Sequence, residues 1–464
     1  MRGRSPAEQQ DAVLSRYVGA AIALALLLVQ AGEVTTLDGT DMLAVAHSLI
    51  HHGTLQVPAS HGVAGVDGAY YAKYGIGLSV FVIPFVAIGD LFALVLGHQP
   101  RFESLMTAST APLIMGALAM TLWRISRRLG TSGSWATVIA VGAVLGTYAL
   151  PYGGKDFFSE PLTTLAIVLS INELLAGRDL RAGLALAVAI VTRPESAALL
   201  IAFPCVLWAF GGRSRRRTLT FAGTGALGAL IDGVYNQYRF GSPVASGYRG
   251  EHFSTPFLHG ASGLLFSPEK SVLLFAPIVL ILIPSAIALW RDHRMFVLLV
   301  ATNFAAMFAI AAVWHSWEGG WSWGPRLILP AVIPACALLA GAPKELRRIA
   351  QGLLGVGFAV SASTLLVPIA AQQLDYPTRT VGPSVIRQYE LVPAAVSYSA
   401  QHLQAAHVAG AHRRYVDLWQ VNLGREFGAK GLLLGLVGSL VILGMLCAVL
   451  LRVKHSCNTR RWTK

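Results

Sequence analysis

Leu37-Asp38-Gly39-Thr40-Asp41, running on through Gly53 to Tyr70-Tyr71-Ala72-Lys73-Tyr74-Gly75, is the stretch on which the reading of this chain turns. It follows an apolar run at 17–35, and a bilayer crossing takes about 20 such residues. Acidic residues thus stand at the mouth of a spanning helix, with an aromatic and cationic cluster behind them. That combination points to chemistry at a membrane surface.

Composition sets the class. The chain has 464 residues, 54% hydrophobic and 13% charged, with a mean hydropathy of +0.58. This is more apolar surface than one soluble core encloses, and it reads as an all-α integral membrane protein. The net charge of +13 sits in short basic clusters between apolar runs, as the positive-inside rule expects of cytoplasmic loops. It therefore reads as topology, and no nucleic-acid partner is expected. Cys205, Cys336 and Cys447 lie in hydrophobic runs and Cys457 in a basic tail. With no CxxC or His-rich ligand spacing, neither a disulfide framework nor a zinc site is expected. Arg2, Arg4 and Arg16 precede the first apolar run without a convincing cleavage site, which favours an uncleaved first span over a signal peptide.

Candidate spans fall at about 17–35, 105–124, 133–151, 159–177, 182–193, 195–212, 218–237, 271–290, 295–314, 327–343, 349–371 and 431–452. The run 76–97 is also long enough to cross, yet it carries Gly77, Pro84 and Gly89. If it crossed, Arg124, Arg127 and Arg128 would face outward and every later basic cluster would invert with them. As an interfacial or re-entrant helix pair it leaves the clusters 124–128, 178–181, 213–217, 291–294, 344–348 and 452–464 all inside. The expectation is a polytopic helical bundle of about twelve transmembrane helices, both termini inside, with interfacial helices in the first outer loop. Residues 1–371 form its core, with outer loops 36–104, 152–158, 238–270 and 314–326 and a break at 193–195. Residues 372–430, with Tyr389, Tyr398, Tyr415 and Trp419, would form an extracytoplasmic helical cap, and 431–464 the last span and a basic cytoplasmic tail. No inward loop is long enough for an ATP-binding domain.

Several residues have two readings. Asp41 to His52 is patterned as an amphipathic helix, with Met42, Val45, Ala46, Leu49 and Ile50 at helical spacing. Asp38 is then either its N-cap or a carboxylate at low dielectric whose raised pKa suits it to act as general base towards a hydroxyl. Arg193 either pairs with Glu195 or offers a guanidinium fork to a phosphate. Asp232 and Asn236 lie one helical turn apart, lining a polar interior.

The pattern Asp38, Ala44, Ala46, Leu49, Gly53, then Tyr71 and Lys73 before a Gly-rich apolar segment, resembles the first outer loop of the GT-C superfamily. That group includes protein O-mannosyltransferases and the bacterial aminoarabinose transferase that modifies lipid A. Counting back from Gly53 matches the family's catalytic Asp to Asp38. The sequence departs from the pattern in having Gly39 where the family usually has Glu, and Tyr74-Gly75 after Lys73 where it has Pro-Pro. The resemblance also implies a second acidic or acceptor-side group, for which Asp156, Glu160 and Asp41 qualify; Glu160 otherwise caps the next helix.

On this reading the donor is a polyprenyl-phosphate-linked sugar. Its phosphate would meet Lys73, Arg193, Arg326 or Lys270, the last through a Gly/Pro-punctuated loop. In Trp314-His315-Ser316-Trp317-Glu318-Gly319-Gly320-Trp321-Ser322-Trp323-Gly324-Pro325-Arg326 the tryptophans exceed what interface anchoring requires. Trp317, Trp321 and Trp323, with Tyr71, are the expected sugar-stacking surfaces. The implied enzyme is an inverting hexosyl- or pentosyltransferase of the cell envelope, its active site extracytoplasmic and its acceptor a hydroxyl on lipid, glycan or protein. No cofactor is required by the sequence; a divalent cation shared by Asp38, Asp41, Asp156 and Glu160 stays open. A transporter or lipid flippase is the alternative, although no 20–50-residue repeat suggests two related halves. A non-catalytic envelope scaffold is a third reading.

Overall fold

The structure is a computed structural model that describes residues 6–369, 371–372, 382–401 and 416–459. Among these residues the regular structure is helical apart from one two-residue strand pair, in which Val63 and Ala64 face Tyr71 and Tyr70. In chain order the helices are α1 (Pro6–Val29), α2 (Leu37–His52), α3 (Gly77–Leu96), α4 (Gln99–Ala108), α5 (Thr110–Arg128) and α6 (Gly133–Leu145). There follow α7 (Ala149–Gly154), α8 (Glu160–Leu175), α9 (Asp179–Thr192), α10 (Leu199–Phe210), α11 (Arg215–Phe240) and α12 (Phe257–Phe266). Next come α13 (Val272–Phe275), α14 (Val279–Leu289), α15 (Arg294–Val313), α16 (Leu329–Ala335) and α17 (Lys344–Ala362). Two further helices, Val385–Gln401 and Trp419–Thr459, come last.

Among the described residues five helices are long and apolar enough to cross a bilayer: Glu8–Val29, Gly77–Leu96, Gln99–Arg128, Arg294–Val313 and Trp419–Val453. The other expected spans carry helices that are shorter, less apolar or divided. Residues 327–343, for example, are split between a 3-10 turn, α16 and a second 3-10 stretch, Cys336–Gly341. Many lipid-sized apolar side chains stay exposed, among them Leu94, Val95, Ile201, Ile283 and Leu440, as a bilayer-facing surface would require.

The bundle has two distinct ends. At one, Arg127 donates to Asp11 at 2.9 Å, Arg217 to Asp179, and Trp135 to the Leu339 carbonyl. The basic clusters at 124–128, 178–181 and 213–217 gather there. At the other end Ala31 N–H meets the Gly154 carbonyl, and Arg193, past the end of α9, pairs with Glu160 at the start of α8.

This geometry decides the course of residues 76–97. Helices α1 and α5 run antiparallel, joined by Arg124 to Ser15 near one end and by Gln30 to Ser109 at the other. Helix α4 extends α5 past Ser109, and α3 lies back along α4, with Gly89 against the Glu103 backbone. The segment therefore stays at the Gln30 end. It is one 20-residue helix containing Pro84, which corrects the expected helix pair.

In the 193–195 break, α9 ends at Thr192 and a 3-10 turn, Pro194–Ala198, leads into α10; these are two helices and not one broken one. Of the expected cap 372–430, residues 372, 382–401 and 416–430 are described: Val385–Gln401 is a helix held by Gln388 donating to the Val367 carbonyl at 2.8 Å, and Trp419 opens the last helix. Tyr415 and much of the remainder lie outside the described residues. The last helix folds back at Gly428, φ 62° and ψ −143°, which brings Gly435 against Gln420 and Gly438 against Trp419.

Candidate active site

The site starts at the first turn of α2. Thr36 caps this helix, its Oγ1 accepting the Gly39 N–H at 3.1 Å, so Asp38 is not the N-cap. The Thr36 hydroxyl in turn donates to the Phe157 carbonyl at 2.5 Å. A side chain at Gly39 would meet Thr36 Oγ1 at 2.5 Å and the Phe157 oxygen at 2.7 Å. Glycine is what lets α2 dock on the 152–158 loop, and a Glu at this position would push it away.

Released from capping, the Asp38 carboxylate accepts the Tyr74 hydroxyl on Oδ1 at 2.7 Å and Arg326 Nη1 on Oδ2 at 2.8 Å. Arg326 Nε lies 3.3 Å from Glu160 Oε1, and Arg193 Nη1 lies 2.6 Å from the same oxygen. Arg193 Nε reaches Glu195 at 2.5 Å. Charges thus alternate from Asp38 through Arg326, Glu160 and Arg193 to Glu195, each contributed by a different turn or helix end. The Phe158 ring lies 4.0 Å beneath the Arg326 guanidinium, a cation–π contact. Glu160 is fully buried and its Oε2 has no hydrogen-bond partner.

Burial pushes the Asp38 carboxyl up, but Arg326, the Tyr74 hydroxyl and Arg193 together outweigh it and hold it below the usual carboxylate range. This reverses the raised value expected from its place at the membrane face. Burial and the neighbouring Asp38 carboxylate push the Tyr74 phenol up, keeping it a neutral donor.

A cavity of about 690 Å³ opens beside this chain of charges. Asp38, Lys73, Tyr74, Arg193, Glu195, Glu251 and Arg326 are among the polar residues that line it, and Met307, Ile310 and Ala311 of α15 among the apolar ones. Lys73 pairs with Glu251 at 2.6 Å and stands 5.0 Å from the centre of the Tyr248 ring. Of the four expected phosphate-binding residues, Lys73, Arg193 and Arg326 converge here.

Lys270 does not. It is fully buried, and its Nζ donates to the Gly320 carbonyl at 3.0 Å, the Ser322 carbonyl at 2.6 Å and Ser322 Oγ at 3.1 Å. All three protons are used, and burial pushes the ammonium down to about 7. Lys270 ties the 238–270 loop to the tryptophan loop.

The expected stacking residues are also placed elsewhere. Trp323 is buried against Phe275 and donates to Ser361 Oγ at 3.1 Å. Trp321 donates to the Ile369 carbonyl, Trp317 packs on Gly263, and Tyr71 donates to Asp67 at 2.7 Å. The aromatic side chains on the cavity wall are Tyr74, Tyr248, His252, Phe253, Trp314 and His315.

Asp41 turns away to His61 Nδ1 at 3.0 Å. Burial pushes its carboxyl up, and the His61 contact opposes that. Asp156 is pushed up to about 7, first by burial and then by Asp417, with Arg326 and Lys155 pulling the other way. The Lys155 ammonium donates to the Asp417 carbonyl and is pushed down to about 8 by burial. Asp38, Asp41, Asp156 and Glu160 therefore do not gather around a shared cation position: among the described residues the donor atoms converge in that way only at His47, His51 and Glu103. Asp232 and Asn236 bond to each other at 3.1 Å, outside the cavity lining.

Tyr74, Tyr248 and Glu251 were not singled out by the sequence reading. Tyr74 had a signal, since it directly follows Lys73. Tyr248 and Glu251 reach the cavity only through the path of the loop after α11.

The chain is similar to the crystal structure of ArnT from Cupriavidus metallidurans in the apo state, at 14% identity and a TM-score of 0.49, over 96% of this chain and 77% of that one. The same protein bound to undecaprenyl phosphate gives 14% identity and 0.47, over 95% and 76%. The archaeal oligosaccharyltransferase AglB from Archaeoglobus fulgidus, in complex with an inhibitory peptide and a dolichol-phosphate, gives 13% and 0.47, over 92% of this chain and 60% of that one. No protein-family profile matches the sequence, nor does any curated sequence.

Proposed function

We propose that this protein is an inverting glycosyltransferase that moves a sugar from a polyprenyl-phosphate donor to a hydroxyl acceptor on the extracytoplasmic face of the membrane. The observation that carries the reading is that Asp38 and three cationic side chains, Lys73, Arg193 and Arg326, line one cavity together with the apolar side chains of Met307, Ile310 and Ala311, Glu251 and Glu195 in the same lining pairing with Lys73 and Arg193. A sugar phosphodiester supplies an anion for the cations, and a prenyl tail fits against Met307 and Ile310.

In the reaction the acceptor oxygen forms a bond to the anomeric carbon while the bond from that carbon to the phosphate oxygen breaks. The acceptor proton passes to Asp38, and a single displacement inverts the anomeric centre. The departing phosphate gains one negative charge, so fixed guanidinium groups near it stabilise the transition state more than the bound donor. The polar groups gather at one end of the bundle, as surface chemistry requires. A carrier would instead place ionisable groups near the bilayer midplane.

The test is the Asp38→Asn variant. Its amide oxygen can still accept from Arg326, with the amide N–H donating to the Tyr74 oxygen where the carboxylate accepted from it, but it takes up no proton. Mass spectrometry of envelope lipids, glycans and glycoproteins should show one glycoform lost without the protein, restored by wild type and not by the variant. Purified variant should bind polyprenyl phosphate at least as tightly as wild type while transfer falls about 10²–10⁴-fold. Wild-type transfer by the variant would overturn the assignment.

A further inference from the structure

A second cluster of chemistry-bearing side chains lies outside the cavity, at the opposite end of α2. His47 and His51 are four residues apart and share one helix face, their ring centroids 4.3 Å apart. Helix α4 turns the Glu103 carboxylate towards them, with Oε2 2.9 Å from His47 Nδ1 and Oε1 3.6 Å from His51 Nε2. Helix α3 adds Asp90, whose Oδ2 lies 3.4 Å from His51 Nε2.

Two features are hard to account for by ion pairing alone. Glu103 is 4% exposed, and its Oε1 is buried without a hydrogen-bond partner. Leaving a buried carboxylate oxygen unsatisfied is costly, so the surroundings are short of one positive or donor group at that point. In addition, donor atoms of His47, His51 and Glu103 all lie within 4.8 Å of one another. Ligands held tetrahedrally about 2.0–2.2 Å from one zinc ion are separated by roughly 3.3–3.5 Å. The 3.4 Å separation is at that spacing and the 3.6 Å one just above it, while the His47–Glu103 pair at 2.9 Å would open slightly.

We propose that His47, His51 and Glu103, with Asp90 beside them, form a divalent-cation site of zinc type that staples the helix carrying Asp38 to the α3–α4 hairpin. Two imidazoles with carboxylates favour Zn²⁺ over Mg²⁺ or Ca²⁺, which prefer all-oxygen shells. The Gln99 amide now donates to Asp90 Oδ1 at 2.9 Å and lies 3.2 Å from His51 Nε2. It would swing aside when the cation binds. His47 lies nine residues beyond Asp38, about 14 Å along the helix axis. The site therefore acts on the orientation of α2 and takes no part in the transfer itself.

The test uses the full-length purified protein with Zn²⁺ as the probe. Wild type equilibrated with low-micromolar Zn²⁺ and passed through gel filtration should carry one zinc per chain by elemental analysis. Its Tm should rise with added Zn²⁺ and not with equal Mg²⁺ or Ca²⁺. The His47→Ala/His51→Ala double variant, whose changes lie on the partly exposed side of the cluster, should lose that zinc and the Tm response. X-ray absorption on the wild-type protein should show N/O ligands near 2.0–2.1 Å with imidazole scattering. Failure of wild type to retain zinc, or equal retention by the double variant, overturns the proposal. A double variant that does not fold is replaced by His51→Ala alone, read by the same two measurements.

Discussion

Arg326 is the residue on which the site is balanced. Without donor it neutralises Asp38 at 2.8 Å and Glu160 at 3.3 Å, and its hold on Asp38 opposes the upward pull of burial. A donor phosphate would compete for the same guanidinium and weaken that hold, so the Asp38 carboxyl should titrate at higher pH in the donor complex than in the free protein. Of the two rate parameters, kcat/KM reports the free protein and kcat the complex. The acid limb of kcat should therefore lie at higher pH than that of kcat/KM, with the kcat/KM limb below the ordinary carboxylate value of 3.8. A phosphodiester keeps its single charge across this range and does not confuse the comparison. Coincident limbs in a pH-rate series would show that Arg326 does not couple donor to base. Asp38, Arg193 and Arg326 were legible in the sequence because an ionisable group beside long apolar runs has few places to go except a shared polar cavity. Lys270 was misread because a lysine in a Gly/Pro-rich loop looks the same whether it faces a ligand or buries itself on carbonyl oxygens. The tryptophans were misread for a similar reason: an indole that fills a core and one that lines a cavity have the same local sequence.

Among elements, the contact between α3 and α4 shows what periodicity conveys and what it leaves out. The apolar run at 76–97 was read as an interfacial or re-entrant helix pair, where the structure has the single helix Gly77–Leu96. Nothing in the run announced that its backbone would lie against α4. That contact depends on Gly89, where an added Cβ would stand 2.6 Å from Glu103 Cα and 2.7 Å from its nitrogen. Backbone atoms cannot rotate aside as a side chain can. Gly89→Ala should therefore cost about 1–3 kcal/mol, the usual penalty for overpacking, seen as a lowered Tm. Gly352 in α17 has nothing within 4 Å of its added Cβ, so Gly352→Ala should be neutral or stabilise by up to about 1 kcal/mol. Equal Tm values for the two variants would mean that α3 and α4 are not in backbone contact. His47 and His51 escaped notice for a different reason. The sequence reading found no His-rich ligand spacing and expected no zinc site, passing over the i, i+4 pair, because Glu103 and Asp90 are brought to it only by the α3–α4 hairpin.

For the whole molecule, the charge pattern and the helix directions agree on one orientation. Arg124, Arg127, Arg217 and the turn after α14 share the end opposite Asp38, where Gly341 lies against Leu289 and Thr131 donates to the Ala340 carbonyl. If basic residues are retained inside, the Asp38 cavity opens outside. Two cysteine probes read this directly in a background with Cys205, Cys336, Cys447 and Cys457 replaced by alanine. Val244 is 90% exposed in the loop that leads to Tyr248, and Asp292 is exposed in the basic turn between α14 and α15. A membrane-impermeant maleimide should label Val244→Cys in intact cells, and Asp292→Cys only after permeabilisation. The reverse pattern would turn the cavity to the cytoplasm. Labelling of both in intact cells would instead mean that an even number of crossings separates residues 244 and 292, against a fold in which Ser246 and Tyr248 share the cavity with Asp38 while Leu289 lies against Gly341 at the opposite end.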